Sequence, residues 1–320
     1  MTTHTKNFDH FVGDVVLDPF EGVDPNRQFN FECAVYVPND PPGVNFVRNM
    51  AHYNGLLLSL HVLTDEMSRV EGSAVMVAPG VAYTAAHVLE PQLREVMEGK
   101  KRLMCIGYTS SGPRLWRVGE ITKANGTDLM ILSLRYASAL PEDNRFVQGS
   151  ITTRLPRLGE RVMIAGLRAS DQHIPMDDEM NFAVTDGRVP FGADVRIGVG
   201  EVTQHFLSGR GSMLPGSVIE VSCSTPGGLS GGPAFDQHGM VVGVLSTSFD
   251  HEDGRGPSYV SLLWPALIRP ITPYFMPQLF PAKVRLLDSQ YCYIDRRDVI
   301  QCSTDEETGL DRVEYEADPA

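Results

Sequence analysis

The chain has 320 residues, of which 42% are hydrophobic and 21% charged, a composition typical of globular proteins that excludes a disordered or fibrous chain. Its formal net charge of -13 argues against binding to nucleic acids and to anionic membrane surfaces, because both need clustered Lys and Arg. The 30 Gly and 22 Pro residues predict many turns and therefore many short strands.

Residues 1–56 form a predicted N-terminal extension, rich in Asp, Asn and Pro, with one strand-like run at 33–37. No basic segment is followed there by an apolar run, so no secretory signal is predicted, and no stretch of the chain is apolar enough to span a membrane. The five cysteines are an odd number without metal-site spacing. This pattern predicts reduced thiols, no metal or other cofactor, and a cytoplasmic location.

From residue 57 onward, short apolar or alternating runs follow one another, separated by Gly, Pro and Asp. Such runs predict an all-β barrel or sandwich protein, with helices confined to 90–97 and to a short segment around 264–268. Residues 281–320 form a predicted C-terminal extension. From residue 305 onward it carries seven Asp and Glu against one Arg, a net charge of -6, which is typical of a solvated or partner-binding tail.

A serine, Ser230, stands among four glycines in the run Gly-Gly-Leu-Ser-Gly-Gly-Pro at 227–233. An alcohol is a poor nucleophile unless a base removes its proton and donors stabilise the oxyanion that forms. Glycines allow the backbone to turn two N–H groups toward one point. Taken alone, the run fits a glycine-rich hairpin turn equally well.

A base and a carboxylate are the two partners that such a serine requires. His87 follows the small residues Thr84-Ala85-Ala86, which places an imidazole with little bulk beside it where a predicted strand ends. Asp128 lies at the entry of an apolar strand, where burying a charge is costly unless it is paired. A paired carboxylate could fix the imidazole tautomer, although Asp128 by itself also fits a plain turn residue.

Together the runs TAAH, GTDLMIL and GLSGGP resemble the trypsin-like (chymotrypsin-fold) serine peptidases, especially the bacterial group that includes the HtrA-type proteases. The resemblance covers residues 57–280, and the order His, Asp, Ser with intervals of 41 and 102 residues suits the family. It implies two six-stranded antiparallel β-barrels, over 57–148 and 149–280, with the active site between them. His87 would be the general base and then acid, Asp128 would orient it, and Ser230 would be the nucleophile.

The resemblance also implies how substrate is bound and where this chain departs from the family. The oxyanion hole would be the backbone N–H groups of Gly228 and Ser230. The primary pocket and the substrate-pairing strand would be formed by Ser224, Thr225, Ser246, Thr247 and Ser248. Because the pocket base, Ser224, is uncharged, cleavage after Lys or Arg is disfavoured, and a small or medium uncharged P1 residue is expected. Leu229 replaces the aspartate of zymogen-activated members, and the chain after residue 280 is too short for a PDZ module.

Two alternatives to a protease remain. The run around Ser230 also fits the nucleophile elbow of an α/β-hydrolase esterase, but Pro233 and the turn after it disfavour the helix that the elbow requires. The second alternative is a catalytically silent binding module on a protease scaffold. For the enzyme, the expected partners are a protein or peptide substrate, which could be one specific protein that it processes, and a regulatory partner bound through the N- or C-terminal extension.

Overall fold

The computed structural model describes most of the chain and shows a mainly β protein. The described residues are 11–13, 16, 18–24, 26–47, 49–65, 67–169, 174–175, 189–191, 193–249, 256–275, 282–304 and 311–316. Within these ranges, every helix is too short to cross a bilayer.

The first barrel follows three strands of the N-terminal segment. These three strands are β1 (Phe11–Gly13), β2 (Asn30–Ala34) and β3 (Gly43–Val47). The barrel strands are β4 (Leu57–Leu63), β5 (Met67–Ala78), β6 (Val81–Ala85), β7 (Arg102–Thr109), β8 (Gly112–Ala124) and β9 (Leu129–Tyr136). Between β6 and β7 lie the helices α1 (Ala86–Leu89) and α2 (Leu93–Met97), so the predicted helix at 90–97 is present as a 3-10 turn followed by α2.

Six strands close the first barrel in the order β5, β4, β7, β8, β9 and β6, because β6 pairs again with β5. All these pairings are antiparallel. The apolar runs that follow residue 57 fill its interior, and β4 and β6 are buried along their whole length. Burial of this apolar surface is the main free-energy gain that holds the barrel together.

The second barrel is built from strands later in the chain, interspersed with four short peripheral strands. In chain order the strands are β10 (Arg145–Gly149), β11 (Ile151–Thr152), β12 (Arg161–Ala169), β13 (Ile174–Pro175), β14 (Val189–Phe191), β15 (Ala193–Phe206), β16 (Val218–Val221), β17 (Pro233–Phe235), β18 (Val241–Ser248) and β19 (Ser258–Leu262). Strands β17, β12, β15, β16, β19 and β18 form a closed antiparallel ring, since β18 pairs with β17. The predicted fold of two six-stranded antiparallel barrels is therefore confirmed.

The N-terminal segment contacts both barrels. Strand β2 pairs in parallel with β10, and β3 pairs antiparallel with β15 of the second barrel. Aromatic side chains of this segment, among them Phe20 and Phe31, pack with Phe275 and the core of the first barrel. The strand predicted at 33–37 is shifted to β2 because β10 pairs with residues 30–34, whereas the Tyr36 N–H donates to the carbonyl of Gly239.

The C-terminal segment contains β20 (Ile294–Asp295), β21 (Ile300–Thr304) and β22 (Asp311–Tyr315). Strands β21 and β22 form an antiparallel pair, and the Tyr315 ring stacks on Trp264 with 5.1 Å between ring centroids. Trp264 belongs to a 3-10 turn, Trp264–Ala266, in place of the helix predicted at 264–268. Part of the acidic tail is thus packed against the body of the protein.

Candidate active site

The position of His87 is set by the end of strand β6. His87 is the second residue of α1, and its side chain is 46% exposed. Two hydrogen bonds fix the chain leading to it: the Thr84 hydroxyl donates to the Ser73 carbonyl at 2.7 Å, and the Ala86 N–H donates to the Asp128 carbonyl at 3.1 Å. The small residues found in the sequence therefore lie in a tightly packed segment that ends at an accessible imidazole.

Asp128 is buried beside His87 in the turn that connects β8 to β9. One carboxylate oxygen, Oδ2, accepts a hydrogen bond from His87 Nδ1 at 2.8 Å, and the other accepts from the His87 backbone N–H at 2.9 Å. The Ser246 hydroxyl also donates to Oδ2. Burial alone would raise the pKa of Asp128, but the hydrogen bonds and charge of His87 and the bond from Ser246 outweigh it and hold the pKa below its ordinary value.

An ionised Asp128 determines the tautomer of His87. Because a carboxylate can only accept, His87 Nδ1 must carry the hydrogen of the bond between them. In the neutral imidazole the lone pair then lies on Nε2, which is the atom that could take a proton from a nucleophile. Within the described residues, Nε2 of His87 has no hydrogen-bond partner.

Ser230 joins the same group of residues through Ser246. The Ser230 hydroxyl donates to the Ser246 carbonyl at 3.2 Å, so Ser246 contacts Ser230 through its backbone and Asp128 through its side chain. Among the described residues, no hydrogen bond joins Ser230 directly to His87. The Ser230 carbonyl accepts from the Ser73 N–H at 2.8 Å, which ties the serine loop to strand β5 of the first barrel.

The glycines around Ser230 allow this loop to pack closely. Gly228 has a φ of +92°, a left-handed conformation that favours glycine. A Cβ on Gly231 would lie 2.1 Å from the Ser73 carbonyl oxygen and 2.2 Å from the Thr84 hydroxyl oxygen. Glycine at 231 is therefore what lets the serine loop lie against the strand that leads into His87.

Two backbone N–H groups of the loop are available to a ligand. Within the described part of the chain, neither the Gly228 nor the Ser230 N–H donates a hydrogen bond. Between them, the Leu229 side chain is fully buried in the core of the second barrel, where it packs with apolar residues of the barrel strands. Burial of Leu229 therefore anchors the loop in the core of the second barrel, while the N–H groups of Gly228 and Ser230 form no hydrogen bond with a described residue.

Two of the predicted pocket residues, Thr225 and Ser248, lie in a network of hydroxyl groups with Ser258. The Thr225 N–H donates to Ser248 Oγ at 3.0 Å, and the Thr225 and Ser258 hydroxyls are 3.1 Å apart. Ser258 also donates to the Cys223 carbonyl at 2.6 Å. Ser224 and Thr225 are buried, whereas Thr247 and Ser248 are partly exposed. These groups carry no formal charge.

Sequence reasoning missed Ser73, Ser258 and the side-chain role of Ser246. Ser258 stands opposite Ser248 in the pairing of β18 with β19, so its place in the network depends on strand register. The signal available in the sequence was a serine, Ser258, in the mainly apolar run that forms β19, but that run does not show which residues Ser258 contacts. In the described residues, no group of three or more His, Cys, Asp or Glu could hold a metal ion.

Comparisons with known proteins give a family. The family described as trypsin-like peptidase domain matches residues 72–244, and a search of curated proteins finds no significant match. Solved structures similar to this chain include neuropsin, a serine protease expressed in the limbic system of mouse brain. The two sequences are 16% identical, the match covers 68% of this chain and 93% of neuropsin, and the TM-score is 0.45.

Two further structures are similar at the same level. Deg5 is 17% identical, with 65% of this chain and 86% of that chain covered, at a TM-score of 0.41. The MamO protease domain from Magnetospirillum magneticum is 13% identical, with 66% and 94% covered, at a TM-score of 0.40. The matched segment 72–244 is more than half of the chain and contains His87, Asp128 and Ser230. On this match, the chain belongs to the trypsin-like peptidase domain family.

Proposed function

We propose that the protein is a serine endopeptidase that cleaves peptide bonds through an acyl-enzyme intermediate. Ser230 is the nucleophile. His87 takes the hydroxyl proton of Ser230 at Nε2 and then donates it to the leaving amine, and Asp128 stabilises the imidazolium that forms in between. The observation that carries the proposal is the Asp128 carboxylate, which accepts from His87 and from Ser246, while the Ser246 carbonyl accepts from Ser230.

The first step is attack of Ser230 Oγ on the carbonyl carbon of the substrate. Bound substrate would compete for the Ser246 carbonyl, and rotation of the Ser230 side chain would then bring its hydroxyl to His87 Nε2. Hydrogen bonds between catalytic groups are often absent or long before substrate binds. The oxygen of the tetrahedral intermediate would be held by the N–H groups of Gly228 and Ser230, which no described residue occupies.

The substrate class follows from the pocket and from the adjoining strand. The backbone of Ser246–Ser248, at the end of β18, could pair with an extended substrate backbone. Ser224, Thr225 and Ser248 would then surround the P1 side chain. Hydroxyl groups without a carboxylate give no partner to a buried Lys or Arg, so a small or medium uncharged P1 residue is proposed.

Other features predicted from the sequence stay proposals. They are the HtrA-like subgroup without a PDZ domain, the division at residues 56, 148 and 280, a cytoplasmic location, processing of one specific partner protein, and regulation through the extensions. The pairing of β2 with β10 and of β3 with β15 supports the proposal that the N-terminal extension takes part in regulation. Its deletion is expected to change activity toward casein.

A fluorophosphonate probe tests the catalytic proposal. We expect the probe to label the wild-type protein. It should label His87→Ala weakly or not at all, and it should not label Ser230→Ala. Ser212→Ala is the matched control, because Ser212 is an exposed serine of the second barrel. A peptide-library cleavage profile of wild type against Ser230→Ala then gives the P1 preference.

A second candidate function is a catalytically silent binding module. The observation that favours it is the Ser230 hydroxyl, which donates to Ser246 instead of to His87. The fluorophosphonate would be tested on folded protein, with each extension present and removed in turn. If Ser230 is not labelled under any of these conditions, the result would support the binding module over the protease.

A further inference from the structure

Ser73 of β5 is fully buried, and each of its polar groups forms a hydrogen bond. Its N–H donates to the Ser230 carbonyl at 2.8 Å, and its carbonyl accepts from the Thr84 hydroxyl at 2.7 Å. The Ser73 hydroxyl oxygen accepts from the Leu167 N–H of β12 at 2.8 Å and donates to the Leu167 carbonyl at 3.4 Å. Ser73 therefore contacts the proposed nucleophile, the strand that leads to His87 and a strand of the second barrel.

The Ser73 hydroxyl serves a part of β12 that strand pairing leaves open on one side. Strand β12 pairs with β15 along its whole length, but with β17 only at Met163 and Ile164. Leu167 lies beyond that short pairing, and among the described strands none other than β15 and β17 pairs with β12. Buried backbone N–H and C=O groups need partners, and a serine hydroxyl can accept one hydrogen bond while it donates another. One side chain of the first barrel thus satisfies both backbone groups of Leu167.

The two barrels lie very close together on either side of these bonds. A Cβ on Gly72, which precedes Ser73, would lie 2.8 Å from the Ser230 carbonyl oxygen. A Cβ on Gly166, which precedes Leu167, would lie 2.6 Å from Leu229 Cγ. Without the Ser73 hydroxyl, both backbone groups of Leu167 would lack a partner in this contact, which favours separation of β5 from β12 until water reaches them.

We propose that Ser73 is a positioning residue, whose hydroxyl fixes β5 to β12 and thereby sets the distance between Ser230 and His87. This inference rests on the proposed function and deepens it. Ser73 acts through its backbone, because its N–H holds Ser230 and its carbonyl holds Thr84, three residues before His87. Proton transfer from Ser230 Oγ to His87 Nε2 requires the two atoms to approach within about 3 Å, so even a small separation of the barrels slows the reaction.

The kinetics of fluorophosphonate labelling in Ser73→Ala test this proposal, because the substitution removes the hydroxyl and keeps the backbone. The maximal labelling rate at saturating probe should fall about tenfold, the effect of losing one buried hydrogen bond. The probe concentration that gives half of this rate should stay the same, because Ser73 does not line the proposed substrate pocket. A merely structural role would instead lower the fraction of protein that becomes labelled and leave the rate of the folded fraction unchanged.

Ser59→Ala is the matched control. Ser59 stands opposite Ser73 in the pairing of β4 with β5 and is equally buried, and its hydroxyl contacts His61 and the Ile106 carbonyl, both in the first barrel. Ser59→Ala should lose stability in urea unfolding, as Ser73→Ala does, yet label at the wild-type rate. Equal slowing in both alanine variants, or a wild-type rate in Ser73→Ala, would overturn the proposal.

Amide hydrogen exchange distinguishes a failure of this proposal from a failure of the proposed function. In Ser73→Ala the Leu167 amide, followed by NMR, should exchange at least tenfold faster than in the wild type, whereas Ser59→Ala should leave it unchanged. If the fluorophosphonate does not label the wild type, the proposed function fails, and unchanged exchange at Leu167 would overturn the present proposal independently. Ser73→Cys keeps a weaker donor and acceptor and should show smaller changes in both measurements, so it tests the proposal even if Ser73→Ala folds poorly.

Discussion

Replacement of Leu229 by alanine should separate the stability of the second barrel from the geometry of the proposed oxyanion hole. Leu229 is fully buried, and it lies between the two residues whose N–H groups would hold the oxyanion. Leu229→Ala removes the buried side chain and leaves a cavity beneath the loop. The variant keeps both N–H groups in the covalent structure, so any loss of reactivity must come from their positions.

The expected magnitudes follow from burial. Leucine-to-alanine changes in a core cost about 2–5 kcal/mol, a large share of the ~5–15 kcal/mol that stabilises a domain. Loss of one oxyanion donor costs about 10²–10³ in rate, and a loosened loop should cost less, about tenfold. Leu229→Ala should therefore unfold at clearly lower urea concentration and react at least several-fold more slowly with a fluorophosphonate while still folded.

A second leucine of the same core provides the control. Leu262 lies on β19 opposite Gly243 of β18, is buried, and packs in the same apolar cluster as Leu229. Leu262→Ala should lose similar stability in urea unfolding but keep the wild-type labelling rate. If both variants slowed labelling equally, or if Leu229→Ala kept the full rate, the anchoring role assigned to Leu229 would be wrong.

Three more predictions concern the candidate active site and the first barrel. Ser246→Ala removes a donor to Asp128, so the pKa of that carboxyl should rise and the labelling rate should fall about tenfold, measured as a pH–rate profile. Gly231→Ala introduces a Cβ against Ser73 and should lower the yield of folded protein, checked by circular dichroism. His61, whose pKa burial lowers from 6.5 to about 3, stays neutral in the fold while the unfolded imidazole binds a proton. Stability should therefore fall as pH drops below about 6.5, and less steeply in His61→Gln, measured by urea unfolding at several pH values.

The parts of the fold that the sequence predicts are those encoded by neighbouring residues. Alternating apolar runs and turn residues indicated the β class. The residues His87, Asp128 and Ser230 stand in short motifs whose small neighbours are needed at the site itself, as the close approach of Gly231 to Ser73 illustrates. Assignment of the two six-stranded barrels also needed the resemblance to a family, since strand runs alone do not specify closure.

Other features depend on which strands become neighbours. Strand β3 was not predicted because its partner, β15, lies about 150 residues later in the chain. The carboxylate contact of Ser246 arises where β18 reaches the turn before β9, and neither segment contains a signal for the other.

The bond from Ser246 to Asp128 spans 118 residues and has a consequence for biosynthesis. When the ribosome has released the first barrel, His87 and Asp128 have already been synthesised, but Ser230, Ser246 and the strand that carries them have not. A nascent chain therefore holds an imidazole–carboxylate pair without an alcohol to activate. Under the proposed mechanism, the protein becomes able to hydrolyse peptide bonds only late in translation, once the second barrel closes, so the nascent chain cannot cleave polypeptides that emerge nearby.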